Sequence, residues 1–137
     1  MRTLEKKEMR VTNQRKVILE ELQKVKNHPT ATEIYDMVRK KLPRISLGTV
    51  YRNLELMTDH EVIQKLDFGE AQKRFDGNPT LHYHINCVEC GRVDDVEIPL
   101  KKDLEPLAAR ATQYKITGHH VDFSGICKDC QTAAAAG

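Results

Sequence analysis

The sequence predicts an α+β chain in two parts, an N-terminal winged helix-turn-helix domain followed by a C-terminal α/β domain held by four cysteines. Three observations carry this prediction. The first half contains three short stretches with apolar residues at helical spacing, the pattern turns from helical to alternating after Asp59, and all four cysteines fall into two C-x-x-C pairs in the second half.

Taken in order, Val17, Ile18, Leu22 and Val25 recur at helical spacing behind Thr12, a suitable N-cap, which predicts a helix over 13–25. Thr30-Ala31-Thr32-Glu33 has the form of a capping box, in which Thr30 and Glu33 satisfy each other's free backbone donors. The stripe Ile34, Val38, Leu42 carries this second helix to Pro43. Ser46 opens a third helix with Leu47, Val50, Leu54 and Met57 facing inward and Thr49, Tyr51, Arg52 and Glu55 on the opposite face. Residues 62–66 and 72–75 read as two strands about a turn at 68–71.

Three helices and a hairpin is the order of a winged helix. In that motif the third helix enters the major groove, where Arg52 would meet base edges. Lys65, Lys73 and Arg74 on the hairpin would touch phosphates, fixing position without reading sequence. A small helical domain with a hairpin and no nucleic-acid partner has the same periodicity, so the pattern alone leaves both readings open.

Composition narrows the class. With 39% apolar and 31% charged residues, the 137-residue chain is globular rather than disordered. No apolar run approaches the roughly 20 residues that span a bilayer, and the charged start Met1-Arg2-Thr3-Leu4-Glu5-Lys6-Lys7-Glu8 is unlike a secretory signal. A reducing, cytoplasmic location is therefore expected. Residues 1–74 carry 16 basic against 11 acidic side chains and residues 75–137 carry 6 against 9, so positive charge gathers in the half expected to face an anionic partner. An ordinary solvated surface explains the same asymmetry.

The pairs Cys87/Cys90 and Cys127/Cys130 let four thiolates converge as a tetrahedron, the geometry of a structural Zn²⁺ site. Gly91 suits a knuckle behind Cys90. Disulfides are disfavoured in a reducing compartment, and neither pair has the βαβ context of a redox motif. Between the pairs there is room for a strand at 93–98, a helix, and a strand at 121–124. That helix bears the apolar residues Leu100, Leu104, Leu107 and Ala111, which suit either a subunit interface or an internal core. The tail 133–137 carries no signal and is expected to fray.

His82-Tyr83-His84 has the i, i+2 spacing that, on a strand, puts both imidazoles on one face. Asp76 lies just upstream, and Asp95 follows the Cys87 knuckle. Taken alone, such a run is more often surface polarity than a metal site.

Several motifs then occur together and in order: Arg10-x-Thr12-x-Gln14-Arg15, His28-Pro29-Thr30-Ala31 with Ile34-Tyr35, Ile45-Ser46-x-x-Thr49-Val50-Tyr51-Arg52-Asn53-Leu54, His82-x-His84-x-x-Cys87-x-x-Cys90-Gly91, and the final C-x-x-C. Across about residues 9–130 the chain resembles the ferric uptake regulator family. The resemblance implies a DNA-binding domain over 1–76, a hinge at 77–81 and a dimerisation and zinc-binding domain over 82–137. It implies a homodimer that binds palindromic operators when a regulatory metal is loaded. The implied ligands are His28, Asp76, His82, His84 and Asp95, and the implied DNA contacts are Arg15, Thr49, Tyr51, Arg52, Lys65 and Lys73. Without the family, His28 would be a turn residue, Asp76 the end of a strand and Asp95 a solvated acid; Asp94 is an alternative ligand, although the knuckle spacing favours Asp95.

Three imidazoles and two carboxylates suit Fe²⁺ or Mn²⁺. Aspartate at 76 and 95 is similar to the peroxide-stress regulators of the family, whereas iron-uptake regulators more often carry glutamate there. A further ligand set of the family is incomplete here, with Leu81 and Tyr83 flanking His82 and only His119 or His120 remaining. The resemblance thus implies a repressor released when peroxide oxidises His28 or His84 beside Fe²⁺. Iron sensing by occupancy is the alternative, with zinc sensing behind it. Histidine and carboxylate iron sites also serve oxygenases, but the small size and the DNA-reading half favour a regulator over an enzyme. A zinc-ribbon interaction module without DNA is the remaining competitor.

Overall fold

The structure, a computed structural model, describes residues 9–69 and 71–136. It divides into two compact units, residues 1–80 and 81–137. The expectations for the charged start, residues 1–8, and for Glu70 and Gly137 lie outside the described residues.

In the first unit, α1 (Asn13–Lys24) is capped by Thr12, whose hydroxyl accepts from the Arg15 N–H at 3.2 Å. The helix α2 (Ala31–Val38) carries a complete capping box between Thr30 and Glu33. The helix α3 (Leu47–Asp59) is capped by Ser46, which accepts from the Thr49 N–H at 3.1 Å. Their inner faces bury Ile18, Leu22, Ile34, Val38, Val50, Leu54 and Met57 in one core. Such burial is worth roughly 1.5–3 kcal/mol per large side chain.

Two boundaries differ from the pattern read in the sequence. The second helix stops at Val38, not beside Pro43, because the Val38 carbonyl accepts from both Lys41 and Leu42 and the chain tightens into turns. Pro43 keeps the helix from resuming at Leu42, since the residue before a proline is driven out of helical conformation. Leu42 still packs against the core from its turn. The hairpin is also shorter than expected: β1 (Gln64–Leu66) pairs antiparallel with β2 (Arg74–Asp76), with Lys65 opposite Phe75. Val62 and Ile63 are both fully buried. They plug the core beneath α3, each amide directed at the Met57 carbonyl, rather than alternating in a strand.

The second unit is a three-stranded sheet in the order β4-β3-β5. Its central strand β3 (Tyr83–Cys87) pairs antiparallel with β4 (Val93–Val96) and parallel with β5 (Asp122–Gly125). The crossover to β5 carries α4 (Leu104–Ala111), and α5 (Lys128–Ala136) follows the last cysteine loop. The tail expected to fray is thus helical through Ala136. The run Ala133–Ala136 has the best intrinsic helix propensity and continues a helix already started at Lys128.

Among the described residues of this unit only Tyr83, His84, Cys87 and Val93 are buried. The helix α4 buries nothing, and Leu107 is 47% exposed. The apolar stripe Leu100, Leu104, Leu107, Ala111 is therefore not an internal core of the chain. No described helix is long and apolar enough to cross a membrane.

Candidate metal centres and nucleic-acid face

The four cysteines converge. Cys87 ends β3, Gly91 takes the left-handed φ of +78° that closes the knuckle, and its N–H donates to the Cys87 carbonyl at 2.9 Å. Cys127 and Cys130 come from the start of α5, where the Cys127 N–H donates to the Cys87 sulfur at 3.3 Å. The four sulfurs lie within 4.8 Å of one another, and Cys90 and Cys127 are 3.8 Å apart. Four sulfurs about 2.3 Å from a tetrahedral Zn²⁺ would stand about 3.8 Å apart, so the donor set, four free thiols, fits zinc. N–H groups of Cys127 and Cys90 pull the Cys87 thiol down to about 6. The hydrogen bond with the Cys127 sulfur, together with burial, pushes the Cys130 thiol up to about 12. Crowded sulfurs of this kind cannot all ionise without a cation among them.

One face of the same sheet gathers His82, His84 and Asp95. His84 lies opposite Asp95 in the β3–β4 register. Its Nε2 stands 3.5 Å from Asp95 Oδ1, and the His82 Nε2 is 3.1 Å from that same oxygen. The two rings are 4.4 Å apart, and His84 is almost fully buried. Two imidazole nitrogens and one carboxylate oxygen therefore point at a common position, a donor set suited to Fe²⁺ or Mn²⁺. Tyr83 faces the other way, its hydroxyl accepting from the Lys101 N–H at 2.6 Å. Asp94 is held by Arg92 at 2.7 Å and does not share this position. His119 instead pairs with Glu105, 2.6 Å away.

In the first unit His28 and Asp76 are both buried, with Nδ1 and Oδ2 3.7 Å apart. His28 adopts a φ of +51°, a conformation that costs a non-glycine residue of order 1–3 kcal/mol unless its surroundings impose it. They do so through β2. Arg74 donates to the His28 carbonyl at 3.2 Å, and the Phe75 N–H donates to the Pro29 carbonyl at 2.9 Å. The strand that supplies Asp76 thus also fixes the turn that supplies His28.

On α3, Tyr51 and Arg52 are exposed. Arg52 is steadied by the Thr49 hydroxyl at 3.0 Å, which in turn meets the Ser46 hydroxyl at 2.9 Å. Arg15 reaches from α1 to the same region and lines a groove with Gln14, Thr49, Tyr51 and Arg52. Lys65 binds both carboxylate oxygens of Glu55 at 3.0 Å. Lys73 sits 3.0 Å from Asp67, whose carboxyl is held below its ordinary value by the Gly69 N–H and then by Lys73. The wing lysines thus exchange these partners if they are to reach phosphates.

Two residues escaped the sequence reading. Asn53 looks like an ordinary polar residue on α3, yet it is buried and holds Arg15. Asp122 stands in register with His84 across β5. Alternation in the last strand marks Asp122 as facing one side, but only the parallel pairing reveals its neighbour.

Comparison with known proteins agrees with this geometry. A model of the ferric uptake regulator family matches residues 6–124. The chain is 38% identical over 129 residues, 94% of its length and 86% of the relative's, to the peroxide-responsive repressor PerR of Staphylococcus epidermidis. Among solved structures it is similar to a zinc-bound manganese uptake regulator, with a TM-score of 0.67 and 30% identity, covering 92% of this chain and 99% of that one. It is also similar to the Campylobacter jejuni peroxide stress regulator, with a TM-score of 0.74 and 25% identity, covering 85% and 88%.

Proposed function

Because the chain belongs to the ferric uptake regulator family, we propose that it is a metal-dependent transcriptional repressor that responds to peroxide. The observation that carries this reading is the convergence of the His82 and His84 Nε2 atoms on one Asp95 oxygen. Aspartate rather than a thiolate at that position favours Fe²⁺ or Mn²⁺ over zinc, and relatives at this level of identity are peroxide-responsive repressors.

In this reading His28 and Asp76 of the first unit share one regulatory ion with His82, His84 and Asp95 of the second. Sharing ligands between the two units would couple metal occupancy to the setting of α3. Zn²⁺ would stay in the cysteine site as a structural ion. The protein would act in the cytoplasm as a homodimer on a palindromic operator, with the exposed α4 stripe meeting a second copy. Arg52, Tyr51 and Thr49 would face base edges while Arg15, Lys65 and Lys73 meet phosphates.

Fe²⁺ held by these histidines and carboxylates would supply the redox chemistry that activates peroxide beside the imidazoles, with no net electrons drawn from the ion. The ring of His28 or His84 would gain one peroxide oxygen at a carbon, the other oxygen leaving as water and the ring hydrogen staying on the oxidised imidazole. The oxidised ring is a poorer donor, so the two ligand sets part and the operator is released. Such a site is consumed once rather than turned over, which makes the chain a regulator and not an enzyme.

The test compares operator binding by protein carrying zinc alone, zinc with Mn²⁺, and zinc with Fe²⁺, each with and without peroxide. Peroxide should release only the Fe²⁺ form and add one oxygen to a peptide containing His28 or His84. Fe²⁺-dependent binding that survives peroxide with unmodified histidines would leave iron sensing by occupancy, the reading in which the same ligands act without oxidation.

A further inference from the structure

His84 sits on the central strand of the second unit with a carboxylate directly across from it on each side. Asp95 is its register partner on β4 and Asp122 its register partner on β5. Residues in register on adjacent strands project to the same face, so both carboxylates lie on the histidine's side of the sheet. They address different atoms of the ring. Asp95 Oδ1 is 3.5 Å from Nε2, on the side where His82 also points, whereas Asp122 Oδ1 is 3.8 Å from Nδ1. The two nitrogens of an imidazole point in diverging directions, so an ion held by Nε2 lies away from Asp122.

We propose that Asp122 is a positioning residue for the metal centre, holding the His84 Nδ1–H so that Nε2 is the nitrogen offered to the ion. This rests on the reading of His82, His84 and Asp95 as metal ligands. A ligating histidine whose second nitrogen faces a carboxylate has its tautomer and ring orientation fixed and its basicity raised. At 3.8 Å the pair is longer than a hydrogen bond, which is closer to about 3 Å, so the proposal requires the exposed Asp122 carboxylate to close that gap. His84 is the group that needs such guidance. It is almost fully buried, and a flipped tautomer there would present a proton instead of a lone pair to the metal.

The experiment titrates Mn²⁺ calorimetrically into zinc-containing protein as wild type, Asp122→Ala and Asp122→Glu, with zinc content and thermal unfolding recorded for each. Asp122→Ala should bind Mn²⁺ about 10-fold more weakly, at the low end for such outer carboxylates because Asp122 is partly solvated. Asp122→Glu should recover most of the affinity. Zinc content and unfolding should stay unchanged. The deficit should also persist in about 1 M salt, where the Debye length falls to about 3 Å and a merely nearby charge is screened. Wild-type affinity in Asp122→Ala, a deficit that salt abolishes, or no rescue by glutamate would each overturn the role of Asp122 while leaving the metal centre in place. A wild-type protein that takes up no Mn²⁺ beyond its zinc would overturn the centre itself, and this role with it.

Discussion

The Arg15 guanidinium donates through Nε to the Asn53 side-chain oxygen at 3.0 Å, joining α1 to α3 across 38 residues of sequence. Asn53 spends its amide on the Thr49 carbonyl at 2.9 Å, so one buried side chain both braces α3 and aims Arg15 along it. Asn53→Ala should therefore destabilise the first unit by about 1–3 kcal/mol, the cost of stranding partners at a part-buried position. Arg52→Ala should leave stability unchanged, because Arg52 is exposed, and weaken operator binding by about 1–3 kcal/mol if it reads a base. Urea unfolding and fluorescence anisotropy on operator DNA separate the two. Unchanged affinity in Arg52→Ala would leave α3 without a reading role.

Zinc has more to hold in the second unit than in the first. Four buried residues among those described are a thin core, and the cysteine cluster joins the end of β3 to the start of α5. Removal of zinc by a strong chelator should melt the second unit while the first, with its continuous apolar core, keeps its protected amides. Hydrogen exchange resolved by peptide checks this, and retained protection in β3 and β5 after chelation would refute it.

His28 offers a clean separation of backbone from ligand. Its φ of +51° is tolerated better by asparagine than by most residues. His28→Asn should thus fold within about 1 kcal/mol of wild type while Mn²⁺ no longer promotes operator binding. His28→Val, β-branched in a left-handed conformation, should lose about 1–2 kcal/mol of stability. Equal stability of the two variants would show that the turn relaxes.

The apolar stripe running into α4 is exposed in the chain, with Leu107 on the helix at 47% and Leu100 ahead of it at 38%. If a second copy covers it, Leu107→Glu should convert a dimer to a monomer in analytical ultracentrifugation and weaken operator binding steeply, because two half-sites are then no longer held by one particle. Dimer persistence would move the interface elsewhere.

Much of this molecule is local, and local physics is written in sequence. Thr12, Thr30 and Ser46 cap their helices with no help from distant residues, and the apolar stripes behind them choose the buried faces. The cysteine pairs were legible because each knuckle closes within four residues, and the His82-x-His84 spacing because strand geometry fixes its period. Other features depended on neighbours far along the chain. The end of α2 was set by a turn around the Val38 carbonyl, and Val62 and Ile63 were drawn into the core instead of the wing.

The sequence by itself determined the order of elements, the pairing of the four cysteines and the histidine and carboxylate residues proposed for the second centre. Tertiary structure alone decided that Asp122 flanks His84, that Asn53 serves Arg15, and that the stripe running into α4 is left uncovered within the chain. The physical reason is register. Spacing along one strand or helix fixes which residues share its face, but which strand lies alongside, and in what alignment, is chosen by the whole packed sheet.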